Sequence, residues 1–207
     1  MASIETVFVT RIYRAELAAR APGRRLLQDL KAASRSIAAD DVAGRQWCRA
    51  NGYKGYTSYA SLDDLAWRSP AFQDLLEAVD PHVADFARIA DMDLGRRRLV
   101  ADSIWLNVLE PGGHHAAHIH PNAVVSGTYY VEVPDGASAI RFEDPRLPLM
   151  MAAPPRRTRA AREAQTFVSM APKAGTLLLW ESWLRHEVPP NAADAERISV
   201  SFNYRLD

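Results

Sequence analysis

The sequence predicts a mainly β fold, a sandwich or jelly-roll barrel, behind an N-terminal helical section. Three observations carry this. After Gly95 the chain breaks into about eight short runs rich in β-branched and aromatic residues, separated by Pro, Gly and Asn. The two clear helical stripes both lie before Gly95. Strands and helices do not alternate as they would in βαβ units, so a layered antiparallel architecture is expected.

Taken in order, Val7 to Tyr13 is β-rich and predicts an opening strand. From Arg24 to Ile37, Leu26, Leu27, Leu30, Ala33 and Ile37 fall at helical spacing. Between Gly44 and Tyr59, Gly52, Gly55 and several aromatics show no clean period, which predicts irregular chain. Ser69-Pro70 supplies a cap and a first-turn proline for a second helix. Its stripe is Phe72, Leu75, Leu76, Val79 and Val83, running on toward Ile89. The predicted strands are Arg98–Leu109, His118–His120, Ser126–Val133, Ser138–Phe142, Gln165–Met170, Thr176–Trp180, His186–Val188 and Ile198–Tyr204, and Asp144 to Glu163, rich in proline and arginine, reads as a loop. A length of 207 residues suits a single domain, with residues 1–97 as strand and buttressing helices and 98–207 as the β core.

Composition removes several function classes. Twenty-five basic residues balance 25 acidic ones, so no global field would draw the protein to nucleic acid or an anionic membrane. No stretch approaches the roughly 20 apolar residues of a membrane span, and the start lacks a basic stretch followed by an apolar run. Cys48 is the one cysteine, so an intrachain disulfide is excluded and a reducing cytoplasm is expected. The expected partner is a small-molecule or peptide substrate.

Five of the six histidines lie in the β half: His114, His115, His118, His120 and His186. In an extended strand alternate side chains share a face, so His118 and His120 would point the same way and could chelate one ion. Imidazole nitrogen suits iron, zinc, copper or nickel better than magnesium or calcium. His186, at the head of a later strand, is the candidate third ligand. The alternative is that these are ordinary surface or core histidines.

Arg197 follows His186 by 197 − 186 = 11 residues, an interval that fits a strand, a turn and a return strand. Ser199 alternates with it across Ile198, so both can face the same side. A guanidinium can clamp a carboxylate through two parallel hydrogen bonds and a hydroxyl can add another, which describes a site for a dicarboxylate. The competing arrangement is a surface pair between Arg197 and Glu196, Asp194 or Asp207.

The order His118-Ile119-His120, distal His186, then Arg197-Ile198-Ser199 resembles the 2-oxoglutarate and iron(II)-dependent oxygenase superfamily. The segments Trp105–Val108, Gly112-Gly113, His118–Asn122, Ser126–Val131, Phe142–Arg146, Gly175–Trp180 and His186–Asn191 are similar to a bacterial and phage branch of it. The likeness covers roughly residues 100 to 206 and implies a double-stranded β-helix, the jelly roll also found in cupins. It further implies Fe(II) on His118, His120 and His186, and 2-oxoglutarate as co-substrate with its far carboxylate on Arg197 and Ser199. Asn107, Tyr129 and Tyr130 are candidate pocket residues, although neighbours on alternating faces cannot both point inward. The implied reaction couples oxidative decarboxylation of 2-oxoglutarate to hydroxylation of a second substrate. One departure stands out: the superfamily usually places a carboxylate where this chain has His120. Glu132, Glu143, Asp144 and Glu187 are nearby in sequence, but none has the matching spacing. A third neutral ligand leaves the metal one unit more positive.

Other residues admit two readings each. His114 and His115 either orient substrate at the mouth or are solvated loop residues. Arg156, Arg157, Arg159 and Arg162 either draw an acidic substrate or belong to a solvated loop. Trp180 and Trp183 could wall the metal or simply pack, while Cys48 reads as a buried thiol. Two rival functions remain. One is a cupin-like three-histidine metalloenzyme without 2-oxoglutarate; Gly112 suits it, whereas Val124 and Val125 stand where its glutamate is expected. The other is a non-catalytic jelly-roll binding protein.

Overall fold

A computed structural model of the protein describes residues 1–146, 149–171 and 173–207. Helix α4 (Pro70–Ile89) forms where its apolar stripe predicts: Phe72, Leu75, Val79, Val83 and Phe86 fall on one face and are buried. Together with α1 (Ala21–Asp40), which buries Leu30, this face covers one side of a six-stranded sheet. The order in that sheet is β1 (Ile12–Glu16), β8 (Thr176–Glu181), β5 (Val125–Glu132), β10 (Arg197–Leu206), β3 (Leu99–Leu109) and β2 (Gly55–Thr57). A four-stranded sheet, β4 (His115–His118), β9 (His186–Val188), β6 (Ile140–Glu143) and β7 (Phe167–Met170), packs against its other side. The ladders are antiparallel, and the two layers make the expected jelly roll.

The period-2 geometry of strands decides which residues face the cavity between the sheets. On β10, Ile198, Val200, Phe202 and Tyr204 join the helix-side core, whereas Arg197, Ser199, Ser201 and Asn203 line the cavity. On β3, Ile104, Leu106 and Val108 face the helices while Trp105 and Asn107 face inward. On β5, Gly127 sits on the helix side, where an added Cβ would lie 2.4 Å from the Phe202 ring. Its missing side chain lets that ring pack against the strand.

Four expectations are corrected. The first strand begins at Ile12, and Ile4, Val7, Phe8 and Val9 are exposed, without a strand partner. Residues 44–59 are ordered rather than irregular: α2 (Val42–Ala50) runs into that stretch, β2 lies within it, and a short α3 (Leu65–Arg68) follows. Asp41 caps α2 by accepting from Gly44 N–H and from Ser61 and Tyr56 hydroxyls, and β2 pairs with β3, so tertiary bonds supply what local periodicity lacked. Strand β4 ends at His118, two residues before His120. The segment 144–163 contains short helices α5 (Leu149–Ala152) and Arg162–Ala164; its Leu147 and Pro148 lie outside the described residues. Cys48 is a buried free thiol, and no described helix is long and apolar enough to cross a membrane.

Candidate active site

His118 closes β4 directly opposite His186, the first residue of β9. His120 lies beyond the strand end, where its backbone N–H donates to the Ser182 carbonyl at 3.0 Å. The two histidines of the His-x-His pair therefore meet through a turn anchored on the 181–185 segment, not through strand alternation. Ring centroids are 4.4 Å apart for His118 and His186, 5.0 Å for His120 and His186, and 5.1 Å for His118 and His120. One ring nitrogen from each lies within 4.8 Å of the others.

Each imidazole is held by its Nδ1. That of His118 donates to the Ala116 carbonyl at 2.7 Å and that of His186 to the Leu184 carbonyl at 2.8 Å. Nδ1 of His120 meets Asn203 Oδ1 at 2.6 Å and Ser126 Oγ at 2.8 Å, and Asn203 donates its own amide N–H to Ser103 Oγ, which turns the amide oxygen toward the ring. A carbonyl oxygen can only accept, so Nδ1 carries the hydrogen and Nε2 keeps a free lone pair on all three rings. Burial pushes the His186 imidazole down to about 3, reinforced by His118, and burial also lowers His120. Both are held neutral, the form a metal ion needs. Trp180, 4.8 Å from the His186 ring and edge-on to Phe142, walls the inner side.

Arg197 is 2% exposed, and its Nε and Nη1 are buried with no hydrogen-bond partner. Among the described residues no carboxylate pairs with it; Asp207, one sequence alternative, pairs with Arg98 instead. Its guanidinium lies 4.9 Å over the ring of Tyr130. A buried, unpaired guanidinium is costly unless an anion meets it. Ser199 is buried beside it on the same face. Asn107, paired in register with Ser199, also lines the cavity; it accepts from Thr57 at 3.0 Å and donates to Ser201 at 3.2 Å.

Tyr129 and Tyr130 do face opposite ways. Tyr130 supports Arg197 from below, while Tyr129 is corrected as a pocket residue because it packs in the helix-side core. His115 is not a solvated loop residue: its Nε2 and the Tyr53 hydroxyl are 2.7 Å apart, the rings stack, and burial pushes the imidazole down to about 3. His114 is exposed at the rim. None of Arg156, Arg157, Arg159 and Arg162 lines the cavity. The carboxylates near in sequence are engaged elsewhere, Glu132 with Lys31 and Arg35, Glu143 with Arg185, Asp144 with Arg146, and Glu187 with Arg141. The cluster is three imidazoles with no carboxylate in the described lining. Tyr53, Thr57, Trp105, Ser201 and Asn203 were not anticipated. Ser201 and Asn203 continue the Arg197-x-Ser199 alternation, a signal that could have found them.

Residues 103–203 match the sequence model of a family described as "Putative 2OG-Fe(II) oxygenase". No curated protein sequence matches the chain. Among solved structures, a prolyl-4-hydroxylase from Pseudomonas putida aligns over 95% of this chain and 92% of its own, at TM-score 0.59 and 16% identity. SnoN, a non-heme α-ketoglutarate-dependent epimerase from nogalamycin biosynthesis, aligns over 94% of this chain and 77% of its own, at TM-score 0.62 and 15% identity. The chain spans 58% of an oxidoreductase of the 2OG-Fe(II) oxygenase family from Burkholderia pseudomallei, at TM-score 0.47 and 16% identity, a likeness too slight to bear on the fold. At these identities the structural neighbours attest the shared jelly roll, and residues 103–203, just under half of the chain, are similar in sequence to the 2OG-Fe(II) oxygenase family.

Proposed function

We propose that the protein is a 2-oxoglutarate- and Fe(II)-dependent dioxygenase that hydroxylates a small-molecule or peptide substrate. His118, His120 and His186 would hold the iron, and Arg197 with Ser199 would hold the far carboxylate of 2-oxoglutarate. The observation that carries this reading is the pairing, in one cavity, of three Nδ1-anchored imidazoles with a buried guanidinium that meets no carboxylate among the described residues. A cation without a partner favours a dianionic co-substrate over a neutral one. SnoN has been captured with Fe3+ and α-ketoglutarate, which supports the same pair of groups here.

When bound, Fe(II) and 2-oxoglutarate would supply the oxidising chemistry with dioxygen as the oxidant, one oxygen atom entering succinate as CO2 leaves and the other entering the substrate as a hydroxyl. The chain's own part is positional. The Ala116, Leu184 and Asn203 oxygens fix three rings with Nε2 free, Arg197 and Ser199 give the organic acid one orientation, and Trp180 and Phe142 keep water from the inner wall. A single buried cysteine and balanced charge are in keeping with a cytoplasmic protein that has neither nucleic acid nor membrane as partner.

Anaerobic addition of 2-oxoglutarate to the Fe(II)-loaded protein should produce a visible charge-transfer band, and Arg197→Ala should shift its saturation to higher concentration. A band that saturates identically in the variant would overturn the assignment of Arg197. That no carboxylate stands among the described lining residues favours a second reading, a three-histidine metalloenzyme that does not use 2-oxoglutarate. That reading expects metal binding with no such band.

A further inference from the structure

The cavity of about 540 Å³ is large enough to hold a drug-sized ligand. Its wall is aromatic from the surface to the histidines. Tyr59, 68% exposed at the mouth, meets Trp105 edge-on at 5.4 Å, and Trp105 lies 5.6 Å from the His120 ring. Trp47 from α2 and Ile119 from the turn after β4 add apolar surface, 39% and 45% exposed. Tyr59, Trp47 and Ile119, left this wet, converge on one opening from three separate stretches of chain.

The charges in the cavity narrow what can enter. Among the described lining residues there is no Asp, Glu or Lys, and Arg197 is the one fixed cation. On the reading proposed above, Arg197 is occupied by the co-substrate. A zwitterionic amino acid, a nucleotide or a sugar phosphate would therefore bring charges that find no partner, and burying an unpaired charge is expensive. Thr57, Asn107 and Ser201 hydrogen-bond one another, so they offer little to the row of amide groups in a peptide. We propose that the substrate is an uncharged small molecule carrying a planar ring, seated against Trp47, Tyr59 and Trp105. This rests on the co-substrate assignment of Arg197. Offset or edge-to-face contact with those rings would hold it, with the bond to be oxidised directed at the histidine cluster.

Three probes with one ring and different charges test this: naphthalene-2-carboxamide, 2-naphthoate and 2-naphthylmethylammonium. They are titrated calorimetrically into the Fe(II)-loaded protein without oxygen and with saturating 2-oxoglutarate. The amide should bind at least about tenfold tighter than either ion, and Trp47→Ala with Tyr59→Ala should weaken it by roughly tenfold. Both positions are at the surface, and an unchanged melting temperature confirms that the double variant folds; Tyr59→Phe should retain the amide. The proposal is overturned if the amide does not bind, if either ion matches it, or if the double variant holds it as well as the wild type. A separate 2-oxoglutarate titration of wild type and Arg197→Ala tells the two ideas apart. Loss of the Arg197 dependence sinks the co-substrate reading and with it the exclusion of acids, whereas failure of the amide with that dependence intact sinks only the ring subsite.

Discussion

Arg197→Met should make the ligand-free protein more stable while abolishing its response to 2-oxoglutarate. The native guanidinium is 2% exposed and rests on Tyr130, with Nε and Nη1 buried and meeting no hydrogen-bond partner or carboxylate among the described residues. Each buried, unsatisfied donor costs about 1–3 kcal/mol. Methionine fills a similar volume with no polar atom. Allowing for lost contact with the Tyr130 ring of about 1 kcal/mol, the net gain is about 2 kcal/mol. For a chain of this size that raises Tm by roughly 4–8 °C. The co-substrate acts in the opposite direction. At a hundred times its Kd, 2-oxoglutarate should stabilise the Fe(II)-loaded wild type by about 2.7 kcal/mol and the variant hardly at all. Urea unfolding of both proteins, with and without 2-oxoglutarate, reads both effects. A variant less stable than wild type without the acid, or equally stabilised by it, would refute the reasoning.

Two further outcomes follow from the hydrogen bonds around the site and the helical layer. Asn203→Ala removes the oxygen that holds Nδ1 of His120, so Fe(II) affinity measured against a competing chelator should fall about 10- to 100-fold; equal affinity would show that Ser126 alone fixes the ring. Burial works to raise the Asp41 carboxyl, but the hydrogen bonds from Ser61, Gly44 and Tyr56 outweigh it and hold the group below its usual value. A depressed folded value stabilises above the unfolded pKa of about 3.9 and loses that contribution as pH falls through the folded value. The stability gap between wild type and Asp41→Asn in urea should therefore be widest near neutrality and shrink below about pH 4; a gap independent of pH would contradict the carboxylate's role.

The parts of the fold legible in the sequence were those with a strong period. The Phe72 to Val83 stripe gave α4, and the alternation Arg197, Ser199 against Ile198, Val200 gave the inward face of β10. His186 was readable because its spacing to Arg197 fits a strand and its return. Parts made by distant contacts were not. The α2 and β2 segment depends on the Asp41 cap and on pairing with β3, so its own residues show no pattern. His115 is fixed by Tyr53, 62 positions away. Alternation required Tyr129 and Tyr130 to oppose each other; which one turned inward depended on the register of β5 against β10, with Tyr130 opposite Ser199. His118 and His120 converge as expected but by a different route, since the bond from His120 N–H to Ser182 replaces strand geometry.

The most direct trial is a crystal of the protein grown without oxygen in the presence of Fe(II), with anomalous scattering recorded on either side of the iron edge. A single iron peak within bonding distance of Nε2 on His118, His120 and His186 together is the expected result. Iron bound by only two of these rings, or by a group outside the trio, would contradict the three-imidazole centre.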